Sequence, residues 1–353
     1  MKKVSILLPT IDSGGAEKQA VLLATQLAKH TKVNLIVLYG DHIEYQYNSD
    51  LLLGTAIKVY KLKGNMLSKM SCIRRIILDS ETEVLFNYLT MPDFVGSLVG
   101  HMCGILVYNG IRNSRMSKGK MLIEKIVHNL FATGTIYNCY SGADYFGKHG
   151  FRRKKNIVIP NCFLDIEETI IRPDNRVKTI ITVGRFDPQK DYETLIKSVA
   201  RLSRSDFRLC IVGYGALEKQ IRAWVKEYSI ENKTDIYIKP NNVSELERNA
   251  DIYISTSLFE GTSNSIMEAL NWSLPVVATN VGDNNRLVID EKNGFLHSVG
   301  DVVGLSVSLC KLLDSVKLRN QMGQMSNQNL RENYSMEVFE NRYIDLIEGR
   351  ELR

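Results

Sequence analysis

A chain of 353 residues, 44% apolar and 24% charged, is long enough for two ordinary domains with a core each and too apolar to be disordered. Its net charge of +6 is unevenly spread: Lys and Arg outnumber Asp and Glu by 21 to 11 as far as Cys162, and fall behind them by 24 to 28 afterwards. Six scattered cysteines without one C-x-x-C pair argue against a zinc site and a disulfide framework, so a reducing cytoplasm is expected.

In chain order, Met-Lys-Lys followed by the apolar run from Val4 resembles the start of a signal peptide. The run ends by Asp12 with no small-residue cleavage site, which predicts a first buried strand, Val4 to Pro9, instead. Asp12-Ser-Gly-Gly-Ala-Glu17 is a glycine turn leading to an amphipathic helix over Glu17 to Lys29. Its spacing is not the G-x-G-x-x-G of a dinucleotide site. Strands are predicted at Lys32 to Tyr39, Glu83 to Tyr88, Gly104 to Tyr108 and Thr135 to Tyr140, with helical segments between them. The longest mostly apolar run, Phe94 to Tyr108, carries Ser97 and His101 and falls short of the roughly 20 apolar residues of a membrane span.

Two basic clusters mark this half. Arg112, Arg115, Lys118, Lys120 and Lys125 run into a predicted helix, Met121 to Phe131, whose Leu122, Ile126, Leu130 and Phe131 recur at helical spacing. That is an amphipathic element suited to an anionic bilayer surface, and Arg152-Arg-Lys-Lys155 adds to it. For either cluster alone, the simpler reading is a solvated face. Aromatic residues are not interleaved with the charges, so nucleic acid is not expected as a partner.

Ile157 to Asn161 is a short strand stopped by Pro160, and the acidic stretch Asp165 to Asn175 is the expected linker. The strand and helix rhythm then restarts. Strands are predicted at Thr179 to Gly184, Phe207 to Gly213, Asp235 to Lys239, Asp251 to Ser255 and Pro275 to Ala278. Helices are predicted at Tyr192 to Leu202 and Ala216 to Tyr228, then between Asp301 and Arg331, with a last one over Ser335 to Ile347. Strand alternating with helix means parallel sheets, and the expected fold is α/β, two tandem doubly wound domains. Their expected bounds are 1–163, 164–334 and a closing helical segment 335–353.

Chemistry concentrates in the second half. Gly184-Arg185 through Lys190 leaves a strand with two cations five residues apart, a pair able to neutralise a diphosphate. Ile254 to Leu270 takes a strand through Phe259-Glu260-Gly261 into a row of hydroxyl and amide residues, Thr262, Ser263 and Asn264, that opens a helix. Such a helix start suits an anion. Glu260 and Glu268 bracket it with seven residues between them. A plain alternative for Glu268 is a capping box with Ser265, since the spacing is Ser-x-x-Glu. The six histidines have no metal-ligand spacing and read as structural or surface residues.

Taken together, Gly14-Gly15-Ala16-Glu17, Pro160-Asn161, Gly184-Arg185 with Lys190, Gly213-Tyr214-Gly215, and Glu260-Gly261 with Glu268-Ala269 resemble the retaining GT-B glycosyltransferases that carry an E-x7-E motif. The resemblance spans nearly the whole chain. It implies two Rossmann-like domains that close over the donor, with the last helix returning to the N-terminal one. By this resemblance the N-terminal domain takes the acceptor and the C-terminal domain a nucleoside-diphosphate sugar, UDP-linked by preference. Glu268 would hold the ribose, Arg185 and Lys190 the diphosphate, and Glu260 the donor sugar. Gly14 and Gly15 would approach the diphosphate, and the amides of Gly261, Thr262, Ser263 and Asn264 would contact phosphate or sugar hydroxyls. No metal or other cofactor is implied, and the chain has no Asp-x-Asp. The acceptor implied is a glycan on a polyprenyl diphosphate, as in capsule or O-antigen assembly, which places the protein on the inner face of the cell membrane. Many members carry a histidine after the fourth predicted strand. Here Tyr108-Asn-Gly-Ile-Arg-Asn-Ser114 has none, and Arg112 is the candidate substitute for a catalytic role. The rivals are a sugar-nucleotide epimerase on the same fold and a sugar-nucleotide-binding subunit without turnover.

Overall fold

The computed structural model describes residues 1–12, 14–42, 45–112 and 116–351. Ser13 of the glycine turn, Ser114 after the fourth predicted strand and Arg115 of the first basic cluster lie outside the described residues. The chain divides into unit 1, Met1–Asn161 with Met336–Arg353, and unit 2, Cys162–Ser335.

Unit 1 opens with β1 (Val4–Leu8), α1 (Gly15–Leu27), β2 (Val33–Val37), α2 (Gln46–Asp50), β3 (Lys58–Lys61) and α3 (Met66–Asp79). It continues through β4 (Val84–Asn87), α4 (Thr90–Met102), β5 (Leu106–Ile111), α5 (Lys118–Leu130), β6 (Gly134–Tyr137), α6 (Tyr140–Lys148) and β7 (Asn156–Val158). The strands form one parallel sheet in the order β3-β2-β1-β4-β5-β6-β7. Strands β1 and β2, apolar but for Ser5 and Asn34, are buried along their whole length, and the Asn34 amide donates to the Ser5 hydroxyl at 3.2 Å. Helix α1 begins two residues earlier than predicted because Gly14, in extended backbone, serves as its N-cap, with Glu17 in the positive first turn. Strand β3 was not predicted. It is an edge strand with lysines at both ends and two exposed faces, so no apolar alternation marks it.

Unit 2 runs through β8 (Lys178–Arg185), α7 (Tyr192–Ala200), β9 (Phe207–Tyr214), α8 (Glu218–Glu227), β10 (Thr234–Ile238), α9 (Val243–Arg248) and β11 (Ile252–Ser255). It ends with α10 (Asn264–Asn271), β12 (Val276–Thr279), α11 (Asn284–Leu287), β13 (Gly294–His297), α12 (Val302–Asp314) and α13 (Val316–Tyr334). The second parallel sheet has the order β10-β9-β8-β11-β12-β13. Ile180, Leu209, Ile252 and Val277 pack one face with α7 and α12, while Ile181, Tyr253, Val276 and Ala278 pack the other with α10. Strand β13 was also missed, its four residues opening on glycine and closing on histidine. In both units the strand order reverses beside the first strand, at β1/β4 and at β8/β11, which is where open α/β sheets hold ligands.

The unit boundary lies at Asn161/Cys162, and the expected linker, 165–175, falls wholly in unit 2. It is strapped down there: Arg172 is buried and donates to the carbonyls of Arg248, Ala250, Trp272 and Ser273, and Asn271 accepts from the Glu167 amide. Helix α14 (Met336–Glu348) returns to unit 1, burying Phe339, Tyr343 and Ile347. The Tyr343 ring meets Phe86 edge-on at 5.4 Å, and the Lys2 ammonium donates to the carbonyl of Ile347.

Candidate functional site

In unit 2 the carboxyl ends of β8 and β9 and the turn after β11 enclose a cavity of about 600 Å³, the size of a small-ligand pocket. Its wall includes Arg185, Lys190, Glu260, Thr262, Ser263, Asn264 and Glu268. Five of these, Glu260 to Glu268, come from one stretch of chain, and Arg185 and Lys190 come from 70 or more residues away, brought in by the pairing of β8 with β11. Backbone packing shapes the floor. A Cβ on Gly213 would fall 1.9 Å from the Gly184 carbonyl oxygen, so glycine lets β8 and β9 end close together. Gly282, at φ +56°, lies against the Glu260 carbonyl, where a Cβ would come within 2.1 Å, and so sets the height of the Glu260 turn.

Glu260 is held from three sides. Lys190 Nζ lies 2.6 Å from its Oε1, the Ser257 hydroxyl donates to the same oxygen at 2.7 Å, and Gln189 Nε2 lies 3.4 Å from Oε2. The side chains of Lys190 and Glu260 are only 16% and 9% exposed, so this pair is largely out of water and each charge depends on the other. Arg185 differs: its guanidinium is two-thirds exposed and pairs loosely with Asp187 at 3.4 Å, which leaves it free to swing toward an anion. Gly261 is next to Glu260 and accepts from the Asp283 amide, which ties the turn to the loop after β12.

Helix α10 starts at Asn264, with Ser263 as N-cap accepting from the Ile266 amide. The capping-box alternative for Glu268 is therefore incorrect. Ser265 lies inside the helix, the third residue past the true cap is Ile266, and Glu268 lies beyond that position and lines the cavity. Burial raises the Glu268 carboxyl above its ordinary range. The first amides of α10 and the positive end of its dipole face the same wall, a setting for a phosphate.

Several groups that line the cavity or hold its residues were invisible in the sequence. Gln189 bridges the Phe259 carbonyl and Glu260, and Ser257 fixes Glu260. Lys239, at φ +45°, places its ammonium 4.5 Å from the Tyr214 ring centre, and both line the cavity. Only the left-handed backbone at Lys239 hinted at a special position, and that is not readable from residue type.

The remaining candidates lie in unit 1. Gly14 caps α1, and a Cβ there would run into the Glu17 carboxylate. At Gly15 a Cβ would meet nothing within 4 Å among the described residues, so the fold itself does not demand glycine at that position. Arg112 follows β5. Its guanidinium lies 4.8 Å from the Tyr88 ring centre, Nη2 donates to the Tyr343 hydroxyl at 3.1 Å, and Nη1 lies 3.4 Å from Asn161 Oδ1. Thus it braces α14 against the sheet, and its buried Nε has no hydrogen-bond partner among the described residues. Nearby, Asp93 and Glu124 are buried together between α4 and α5, with the Gly110 amide donating to Asp93. Burial pushes Glu124 up to about 7 and raises Asp93 well above the carboxylate range.

The amphipathic helix α5 faces opposite to the usual sense. Its buried side is Glu124, Val127 and His128, while Leu122, Ile123, Ile126 and Leu130 are 41–60% exposed. Lys118 and Lys120 are exposed at its start, and on α4, which packs against it, Met102 is 71% exposed. In the second basic cluster Lys155 is drawn inward to cap the carbonyls of His128, Asn129 and Ala132 at the end of α5. His128 bonds Thr135 and the Arg152 carbonyl, and His297 bonds the buried Ser308, so both are structural. Among the described residues no group of three or more His, Cys, Asp or Glu is gathered as for a metal ion, and no helix is long and apolar enough to cross a membrane.

Residues 165–329 match the family model described as Glycosyl transferases group 1. Over 348 residues the chain is 28% identical to an N-acetylgalactosaminyltransferase of Campylobacter jejuni, covering 90% of this chain and 92% of the relative. That relative is named for acting on N-acetylgalactosamine-N,N'-diacetylbacillosaminyl-diphospho-undecaprenol. Among solved structures, the apo lipopolysaccharide outer core galactosyltransferase WaaB superposes with a TM-score of 0.80 at 15% identity, over 98% of this chain and 99% of that one. Anabaena HepE in complex with UDP superposes with a TM-score of 0.78 at 16% identity, over 98% and 100%. The two parallel-sheet units thus have the GT-B fold.

Proposed function

From the premise that unit 2 carries a glycosyl transferases group 1 domain, we propose that this protein transfers a hexose or N-acetylhexosamine from a nucleoside-diphosphate sugar, UDP-linked by preference, to a membrane lipid-linked glycan. The observation that carries the reading is the cavity at the ends of β8 and β9 that gathers Arg185, Lys190, Glu260, Glu268 and the start of α10. It offers two carboxylates for hydroxyl groups and two cations with helix amides for a diphosphate. Glu268 takes the ribose, Arg185 and Lys190 the diphosphate with the amides of Gly261 to Asn264, and Glu260 the donor sugar. Gly14 and Gly15 of unit 1 keep the donor role read from the sequence, and the fold of unit 1 does not itself demand glycine at position 15.

Transfer proceeds with retention and without a metal. The bond from the anomeric carbon to the diphosphate oxygen breaks, the acceptor hydroxyl oxygen bonds to that carbon on the same face, and its proton passes to the departing diphosphate. Arg185, Lys190 and the α10 amides stabilise the charge that grows on that diphosphate, which is where preorganised donors act most strongly. The UDP of the Anabaena neighbour and the undecaprenol-linked acceptor of the Campylobacter relative support the choice of donor and acceptor. The exposed apolar stripe of α5 with its flanking lysines supports contact with an anionic membrane on the cytoplasmic side, the pathway being surface polysaccharide assembly.

We keep a catalytic assignment for Arg112, in unit 1. Its ties to Tyr343 and Asn161 favour one other reading, a subunit that binds the sugar nucleotide without turnover, with Arg112 purely a brace. Calorimetry against UDP, GDP and ADP, followed by incubation with a panel of UDP-sugars and lipid-linked acceptors, tests the proposal. Tight UDP binding with a glycosylated product is expected. UDP binding with neither transfer nor slow donor hydrolysis leaves the binding-subunit reading in its place.

A further inference from the structure

Behind the proposed ribose ligand lies a second acid that has no place in the account so far. Glu247 sits on α9, 2% exposed, and its buried Oε1 has no hydrogen-bond partner among the described residues. Val243, four residues earlier on the same helical face, lines the cavity, so Glu247 lies one turn back from the wall. The neighbouring charged group is Glu268 of α10, and the other titratable neighbour is Tyr253 of β11. Tyr253 already gives its hydroxyl proton to the Val183 carbonyl at 3.1 Å. Among the described residues no Lys, Arg or His pairs with Glu247. A carboxylate at this position would be a bare anion in the core beside a second one, an arrangement that a protein relieves by keeping a proton on one of the two.

We propose that Glu247 is a positioning residue for the nucleotide: it keeps the proton of the acid pair, so that Glu268 faces the cavity as the carboxylate that accepts from the ribose hydroxyls. The proposal rests on the donor-site reading given above. Its chemistry is reciprocal. Hydrogen bonds from ribose hydroxyls favour the charged form of Glu268, and a firmly charged Glu268 makes a second charge on Glu247 still less favourable. Burial and Glu268 already push Glu247 up to about 8. Nucleotide binding therefore raises it further, and near or above that pH the complex takes up a proton from solvent onto Glu247. By linkage, affinity falls as the pH rises and Glu247 must be reprotonated before the nucleotide binds.

The test is calorimetric titration of the full-length protein with UDP at about pH 8.5 in two buffers of different ionisation enthalpy. The expected result is uptake of about half a proton per UDP bound, with affinity about fivefold to tenfold lower at about pH 9 than at about pH 7. In Glu247→Gln, which keeps a neutral hydrogen-bonding group in place, uptake vanishes, the alkaline decline disappears and the affinity at about pH 7 stays within about threefold. UDP's own titration is common to both proteins and cancels in the comparison. Zero uptake, release of protons, or equal uptake in Glu247→Gln overturns the role of Glu247 while leaving the donor site standing. Absence of UDP binding at every pH overturns the donor site and this inference together. The wild-type buffer comparison decides the matter even where the variant does not fold.

Discussion

Replacing Glu268 by glutamine separates a ligand-binding acid from a structural one, because the two predict opposite signs for stability. In the free protein Glu268 is a carboxyl raised by burial, and among the described residues no cation pairs with it. Neutralising it removes an unfavourable desolvation, so the variant should melt at the same temperature or slightly higher. In the complex, the carboxylate is proposed to accept from two ribose hydroxyls. Hydrogen bonds to a charged group contribute about 1.5–3 kcal/mol each, and glutamine retains one acceptor, so roughly 2 kcal/mol of binding free energy is lost. That corresponds to about a 30-fold weaker UDP Kd. Calorimetry for affinity and a thermal melt for stability, both near neutral pH, supply the two numbers. A Glu268→Gln protein destabilised by more than about 1 kcal/mol, with UDP affinity intact, would show the acid to be part of the fold and refute the reasoning.

The Lys190–Glu260 pair should behave as a coupled unit. Lys190→Met or Glu260→Gln alone leaves one largely buried charge unmatched and should cost about 2–4 kcal/mol in urea unfolding, while the double variant recovers about 2 kcal/mol of the sum; strict additivity would argue against the pair. The same Glu260→Gln should lower kcat far more than it raises KM, since the acid is assigned to the sugar near the reacting carbon. For pH, Asp93, Glu124 at about 7 and Glu247 at about 8 are raised in the folded state, so the folded chain binds protons that the unfolded chain releases. Their stabilisation is full below the ordinary carboxyl range and is lost as pH rises through the folded values. His128, lowered to about 4, acts in the opposite sense, but only below its ordinary value of 6.5. Between about pH 6.5 and about pH 8.5 unfolding free energy should therefore fall by on the order of 2 kcal/mol, and Glu124→Gln with Glu247→Gln should flatten the slope. Finally, Leu122→Asp with Ile126→Asp on exposed positions of α5 should abolish flotation with vesicles containing anionic lipid while leaving UDP affinity in place; equal flotation would remove α5 as the contact.

Most of the sheet framework was readable because a strand buried on both faces is mostly apolar, and β1, β2 and β11 are buried throughout with Ser5, Asn34 and Ser255 the interruptions. Strands β3 and β13 escaped because an edge strand ending in lysines and a four-residue strand holding glycine and histidine carry no such signal. The acids and cations of the cavity were legible by their spacing and company. Gln189 and Ser257 were not, since what makes them partners of Glu260 is a backbone turn, not a pattern. Arg112 shows the limit from the other side. Its residue type gave a free cation, whereas its fold partner Tyr343 is 231 residues away and no local pattern points to it. The α5 helix was found by its periodicity, but periodicity alone does not say which face is inside, and here the apolar stripe is outside.

The most direct measurement of the central claim is mass spectrometry of the product formed from UDP-sugars and an undecaprenyl-diphosphate-linked glycan, with the anomeric configuration read by NMR. A lipid-linked product heavier by one hexose or N-acetylhexosamine residue, with the α-configuration of the donor kept and lost in Glu260→Gln, is the predicted result. An inverted linkage, or no mass gain with any donor that binds, contradicts it.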